Sequence, residues 1–196
     1  MRILKLNQKN FKEIIKEATQ AIQEGKIVVC PTDTLYGLIA DARDIKAVKK
    51  LIRIKKRRSS KPIPIFIKDI KTAKKFAQIN KAQEKFLKAV WPGKVTVVLG
   101  RKGKLPKILF GNKKTIGLRI PNYKIINQLL LTTNRPLTGT SANISNRPPS
   151  TKIKEVLKQF ADQKLQPDFI IDTGNLKPSK PSIVIDLIKG FKILRS

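Results

Sequence analysis

Four polar interruptions in an otherwise aliphatic pattern carry the groups able to do chemistry. They are "PTDTLYGL" after "KIVVC", "KKRRSSKP" before "IPIFI", "TIGLRIP" containing Arg119, and "GTSANISNRPPST" after "RPL". Each holds hydroxyls, amides or cations, and none holds histidine, which is absent from all 196 residues. That absence removes the usual neutral-pH general base, the Ser-His and Cys-His nucleophile pairs and the commonest zinc ligand. The single cysteine, Cys30, excludes an internal disulfide and a thiolate metal cluster. Catalysis has to run on Lys, Arg, hydroxyls, amides and a few carboxylates. Such a set suits anionic substrates, because Arg offers oxygen pairs a bidentate fork and Lys offers a point charge. No Walker loop is present, and no G-x-G-x-x-G follows a strand. Taken singly, each interruption also has a structural reading: "PTD" as a cap or turn, "KKRRSSK" as a solvated loop, "TSAN" as an Asx turn.

The elements that must position these loops alternate. "NFKEIIKEATQAIQEG" sets Phe11, Ile14, Ile15, Ala18, Ala21 and Ile22 on one helical stripe, with Gly25 as its stop. "KIVVC" reads as a strand, and "DIKAVKKLIRIKK" as a helix capped by Asp44 with Ile45, Val48, Leu51 and Ile52 inward. The strand "IPIFI" follows, then two helices in "DIKTAKKFAQINKAQEKFLKAVW", then strands "VTVVL" and "TIGLRI". A helix in "YKIINQLLL", a strand at "RPLTGT", a helix in "TKIKEVLKQF" and a strand "DFIID" precede two closing strands, "SIVIDLI" and "FKILR", joined through Lys189 and Gly190. Strands alternating with helices and closed by an antiparallel pair predict an α/β fold: a single-domain twisted mixed sheet, parallel and antiparallel, flanked by helices. The chain suits one domain over residues 1–196, with no linker to divide it. In such a sheet, functional groups gather where strands give way to loops.

The formal charge of +30, from 43 Lys and Arg against 13 Asp and Glu, points to polyanions or to a lysine-rich composition spread over solvated surface. No run approaches the roughly 20 apolar residues a bilayer span requires, so a soluble cytoplasmic protein without a membrane partner is expected.

In order along the chain, the motifs "PTDTLYGL", the K-x-R of Lys55 and Arg57 with "KP" at Lys61 and Pro62, "WPGKVTVVL", "GLRIP", "TSANISNRPPST", "PSIVIDL" and "KILR" resemble the YrdC family of threonylcarbamoyl-AMP synthases. The resemblance is to its short members, without an additional C-terminal domain. It implies a YrdC-like fold with a large basic concave cavity. It also implies a reaction of L-threonine, bicarbonate or CO2, and ATP with Mg2+, yielding threonylcarbamoyl-AMP and pyrophosphate. This would be the first step of the N6-threonylcarbamoyladenosine modification of tRNA. Carried over by motif position, Lys55, Arg57, Ser141 and Asn143 are the implied catalytic set and contact ATP phosphates. Lys61, Thr115, Pro149 and Arg195 complete the implied ATP site. Thr32, Thr34, Tyr36, Arg119, Gly139 and Ser182 are the implied threonine site, with "PTDTLYGL" as its floor, Gly37 letting the backbone turn and Asp33 a candidate for the substrate ammonium. Arg119 has a buried structural salt bridge as its competing role. Ile39 stands where many relatives have a small residue, which would tighten that floor. Phe66 stands where longer members tend to carry His, and Asn146 where Gly is common, a position Asn tolerates with positive φ. Implied partners are a tRNA threonylcarbamoyl transferase complex, for product hand-over, and tRNA or double-stranded RNA. Two rivals accompany this reading: a carbamoyl-AMP-forming module of the hydrogenase-maturation type, and a non-catalytic double-stranded RNA binder.

Overall fold

The structure is a computed structural model describing residues 1–196. Its first half runs β1 (Arg2–Lys5), α1 (Phe11–Gln23), β2 (Val28–Cys30), β3 (Gly37–Ile39), α2 (Ile45–Ile54), β4 (Ile65–Phe66), α3 (Ile70–Phe76), β5 (Ala77–Gln78) and α4 (Lys81–Val90). The second half runs β6 (Val95–Arg101), a 3-10 turn at Lys107–Phe110, β7 (Thr115–Arg119), α5 (Lys124–Thr133), β8 (Leu137–Thr138), β9 (Thr140–Ser141), α6 (Ile153–Phe160), β10 (Phe169–Asp172), β11 (Ile183–Asp186) and β12 (Lys192–Arg195).

Local chemistry accounts for the helices. In α1 the stripe Ile14, Ile15, Ala18, Ala21 and Ile22 is buried, and Gly25 leaves the helix at φ +76°, a conformation that costs glycine nothing. Asp44 caps α2 by accepting from the amides of Lys46 at 2.7 Å and Ala47 at 3.2 Å. The buried face of α2 is Ala47, Val48, Leu51 and Ile54. Ile45, expected inward, is exposed because it opens the first turn at the edge of that face. Asn80 and Gln83 close a reciprocal capping box on α4.

The expected mixed α/β architecture is present, with its strands divided between two hydrogen-bonded sheets. One runs β1-β10-β2-β3-β9, the other β12-β11-β6-β7-β4-β8, with β5 on β6. The two meet in the segment "LTGTS". Thr138 pairs with Ile65 of β4, Thr140 pairs with Leu38 of β3, and Gly139 between them donates its amide to Pro64 at 2.7 Å. One short stretch therefore serves both sheets, which places the "TSAN" loop where they diverge. Helices α1 and α5 cover the first sheet over a core that includes Val28, Ile126, Leu129 and Ile171. A larger core around Tyr36, Leu51, Ile65 and Leu118 lies beneath α2 and α6. No helix is long and apolar enough to cross a membrane.

Candidate active site

A cavity of about 660 Å³ opens where the two sheets diverge, its wall drawn from the β2–β3 loop, β7, β9, β11 and β12. "PTDTLY" is the loop of the β2–β3 hairpin, in which Cys30 pairs antiparallel with Gly37. Its turn is built on Thr32, whose hydroxyl donates to the Leu35 carbonyl at 2.7 Å and accepts from the Thr34 amide at 3.1 Å. Tyr36 ties the loop to the next connection by donating its hydroxyl to the Gly174 carbonyl at 2.6 Å. Thr32, Thr34 and Tyr36 all reach the cavity wall. Gly37 does not turn the backbone as expected: it lies in extended β3, where a Cβ would stand 3.3 Å from the Thr140 carbonyl. Ile39 does not tighten the floor either, since it packs into the core beneath α1 and α5.

At the wall beside this loop, Arg119 is almost wholly buried. Its Nε donates to Gly93 O at 2.9 Å, one terminal nitrogen to Asp33 at 2.5 Å and the other to Thr34 Oγ1 at 3.4 Å. Burial pulls this guanidinium below the ordinary arginine range, and the Asp33 charge opposes the shift. The other Asp33 oxygen accepts from the Asn122 amide at 3.0 Å. Asp33 is therefore tied to protein groups through both oxygens, one to Arg119 and one to the Asn122 amide. The Arg119 guanidinium also stands 5.6 Å from the Phe66 ring. That ring in turn fills the space at Gly139, where a Cβ would lie 2.6 Å from a ring carbon.

The K-x-R pair divides. Arg57 reaches the cavity wall, held there through the carbonyls of Lys61 at 3.2 Å and Pro62 at 2.7 Å. Lys55 turns inward instead and is 2% exposed. Its ammonium donates to Ser141 O at 2.6 Å, Asn143 Oδ1 at 2.7 Å and Asn143 O at 2.9 Å. Burial, aided by the Arg57 charge, lowers its pKa to about 7. Ser141 donates its hydroxyl to Asn143 Oδ1 at 2.6 Å, and Asn143 spends its amide on the carbonyls of Ile144 and Arg147. Lys55 thus braces the S-x-N loop, from which Ser141 reaches the wall while Asn143 stays behind it. Asn146 takes φ +69° in this loop, as expected.

Thr115 and Pro149 lie on the wall, whereas the Lys61 side chain is exposed and off it. Ser182 bonds Thr96 across the β11–β6 pair at 2.9 Å and holds Arg195, whose guanidinium donates to the Ser182 carbonyl at 2.7 Å. Arg57, Arg119 and Arg195 all line this cavity, and burial, joined by the Arg195 charge, lowers the pKa of Arg57 and of Arg119. Lys113, Lys114, Thr96 and Asp186 are wall residues that motif reading missed. A polar Thr96 inside the apolar run "VTVVL" was a readable signal. The two lysines were lost among many others.

A model of the Sua5_yciO_yrdC family, described as telomere recombination, matches residues 20–196. A Methanocaldococcus jannaschii protein provisionally named threonylcarbamoyl-AMP synthase is 38% identical over 187 residues, which are 95% of this chain and 86% of that protein. The threonylcarbamoyl-AMP synthase of Pyrococcus abyssi is 35% identical over 191 residues, covering 94% of this chain and 55% of that protein. The crystal structure of P. abyssi Sua5 complexed with L-threonine superposes with a TM-score of 0.88 at 33% identity, covering 95% of this chain and 54% of that one. The motif order, the two-sheet architecture and these matches agree, and the chain belongs to the Sua5/YciO/YrdC family.

Proposed function

We propose that this chain is a threonylcarbamoyl-AMP synthase, acting in the first step of tRNA threonylcarbamoyladenosine formation. The observation that carries the reading is the convergence of Arg57, Arg119 and Arg195 on one hydroxyl-lined cavity, in a chain resembling a protein crystallised with L-threonine. Arg119, preset by Asp33, has N–H groups left to bind the threonine carboxylate, and Thr34, Ser182 and Thr96 offer hydroxyls to its polar side chain. The threonine amine attacks CO2 and loses a proton to give a carbamate. A carbamate oxygen then attacks the α-phosphorus of ATP, the bond to the bridging oxygen breaks, and pyrophosphate leaves with the electron pair. The carbamate, ATP and pyrophosphate are all anionic, so fixed guanidinium groups aimed at the phosphoryl oxygens are the main catalytic provision, and no histidine is required. Ser141 presents its oxygen from a loop that Lys55 and Asn143 hold still.

Mg2+ enters this reading as the companion of ATP. No group of three or more His, Cys, Asp or Glu converges anywhere, and Asp186 is the only carboxylate on the wall. Triphosphate oxygens and water suit the ion's preferred shell, where it would neutralise phosphoryl charge. The product would pass to a tRNA threonylcarbamoyl transferase complex, and contact with tRNA during that hand-over fits the basic surface.

The test is pyrophosphate release from Mg·ATP and bicarbonate, with and without L-threonine. Release that requires threonine, and that Arg57→Ala lowers about 100-fold or more, is the expected result. Threonine-independent release would favour a carbamoyl-AMP-forming module, and none from folded protein would remove the enzymatic reading.

A further inference from the structure

We infer that Lys113 and Lys114 hold the two phosphates that leave as pyrophosphate, at the end of the cavity opposite the amino acid. This rests on the threonylcarbamoyl-AMP reading and adds a phosphate subsite to it. Both lysines lie on the cavity wall, exposed to solvent, immediately before β7. Their turn is a docked one. Gly111 and Asn112 take consecutive positive φ values of 54° and 65°, and a Cβ at Gly111 would fall 2.1 Å from the Ser60 carbonyl oxygen. The Ile63 amide also donates to Leu109 O at 2.8 Å, so the turn is seated on the loop that carries Arg57.

Strand β7 then acts as a ruler. It runs from Thr115 beside the lysines to Arg119, and four residue steps of extended chain span about 13 Å. The Arg119 end is the amino-acid end. Register carries Leu118 to Val97 and Thr96 to Val184, which sets Thr96 and Ser182 beside Arg119, with Thr34 and Phe66 across from them. A carbamate that attacks phosphorus has to meet it at this end, where Arg195 is held against Ser182. Threonine is too short to fill the remaining length, so part of the nucleotide does. Neither Lys113 nor Lys114 has a carboxylate partner, and Asp186 lies partway along the sheet, across β6 at the level of Gly117. Unpaired cations select the phosphate tail over the uncharged nucleoside. There they would stabilise the electron pair that the leaving pyrophosphate takes from the broken P–O bond.

Calorimetric titration with inorganic pyrophosphate and, separately, with AMP tests this without requiring turnover. In a Lys113→Ala/Lys114→Ala double variant the pyrophosphate Kd is expected to rise about tenfold, the equivalent of losing about 1.4 kcal/mol. AMP affinity stays as in the parent, and the salt dependence of pyrophosphate binding becomes shallower. The KM for ATP should rise in parallel while that for threonine holds. Lys158→Ala, on the solvent face of α6, should change none of these. Unchanged pyrophosphate affinity in the double variant, no pyrophosphate binding by the parent chain, or an equal loss for AMP would overturn the inference. A parent chain that binds pyrophosphate in this way yet makes no threonine-dependent product would sink the functional reading alone.

Discussion

Lys55 shows how a residue can be found by motif and still do something different from what its neighbours in sequence suggest. Its ammonium is enclosed by three oxygens of the S-x-N loop, so truncation leaves buried acceptors unpaired. Lys55→Met should cost about 2 kcal/mol in urea unfolding. The pH dependence carries a definite sign. With the native pKa lowered to about 7 by burial, the folded chain binds fewer protons than the unfolded chain from there up to the ordinary lysine range. Stability from this group therefore rises with pH across that window, while the cation bracing the loop is lost. Turnover should fall as pH passes about 7 even as the urea midpoint rises, and Lys55→Met should abolish that rise. A midpoint that falls in parallel with activity would contradict this. Gly139 gives a second residue-scale prediction. Gly139→Ala drives a methyl into the Phe66 ring and should destabilise by about 2 kcal/mol, and Phe66→Ala in the same chain should recover part of the lost melting temperature. Sequence alone could place Gly139, Arg119 and Arg57 in one site. It could not show that Asp33 pairs with Arg119, because that depends on a partner 86 positions away.

At the scale of elements, the strong helical periods were legible because amphipathic spacing and caps are local properties. Asp44 before α2 and Gly25 after α1 stand where the patterning put them. The weak strands were not. β1 has four residues, mostly exposed, and exists because it lies in parallel register on β10, from Arg2 against Phe169 to Lys5 against Asp172. β3 was hidden inside "PTDTLYGL", since its strand character comes from pairing with β2 and β9. The edge strand β12 makes a sharper prediction. All four of its residues are exposed and it pairs only with β11, yet it brings Leu194 and Arg195 to the cavity wall. Deleting 191–196 should leave a cooperative thermal transition while weakening ATP binding about tenfold or more, measured by calorimetry. Loss of the transition itself would show that this strand is part of the folding unit.

For the whole molecule, charge and shape have separate consequences. A formal charge of +30 raises the local concentration of any anion, and a cavity set between diverging sheets decides which anion can react. Composition spoke to the first and was silent on the second. The cavity is assembled from side chains of Thr34, Arg57, Arg119, Ser141, Ser182 and Arg195, which meet only after β7, β9 and β11 are in register. The bulk attraction should be screened by salt, whereas the buried set at Arg119 should not, so threonine affinity is expected to change little between low and moderate ionic strength while nucleotide affinity falls. The most direct measurement of the central claim is mass spectrometry of the product formed from ATP, bicarbonate and L-threonine. A species with the mass of threonylcarbamoyl-AMP that disappears when either threonine or bicarbonate is omitted is the predicted result. A nucleotide product that forms equally well without threonine, or no product from correctly folded protein, would contradict it.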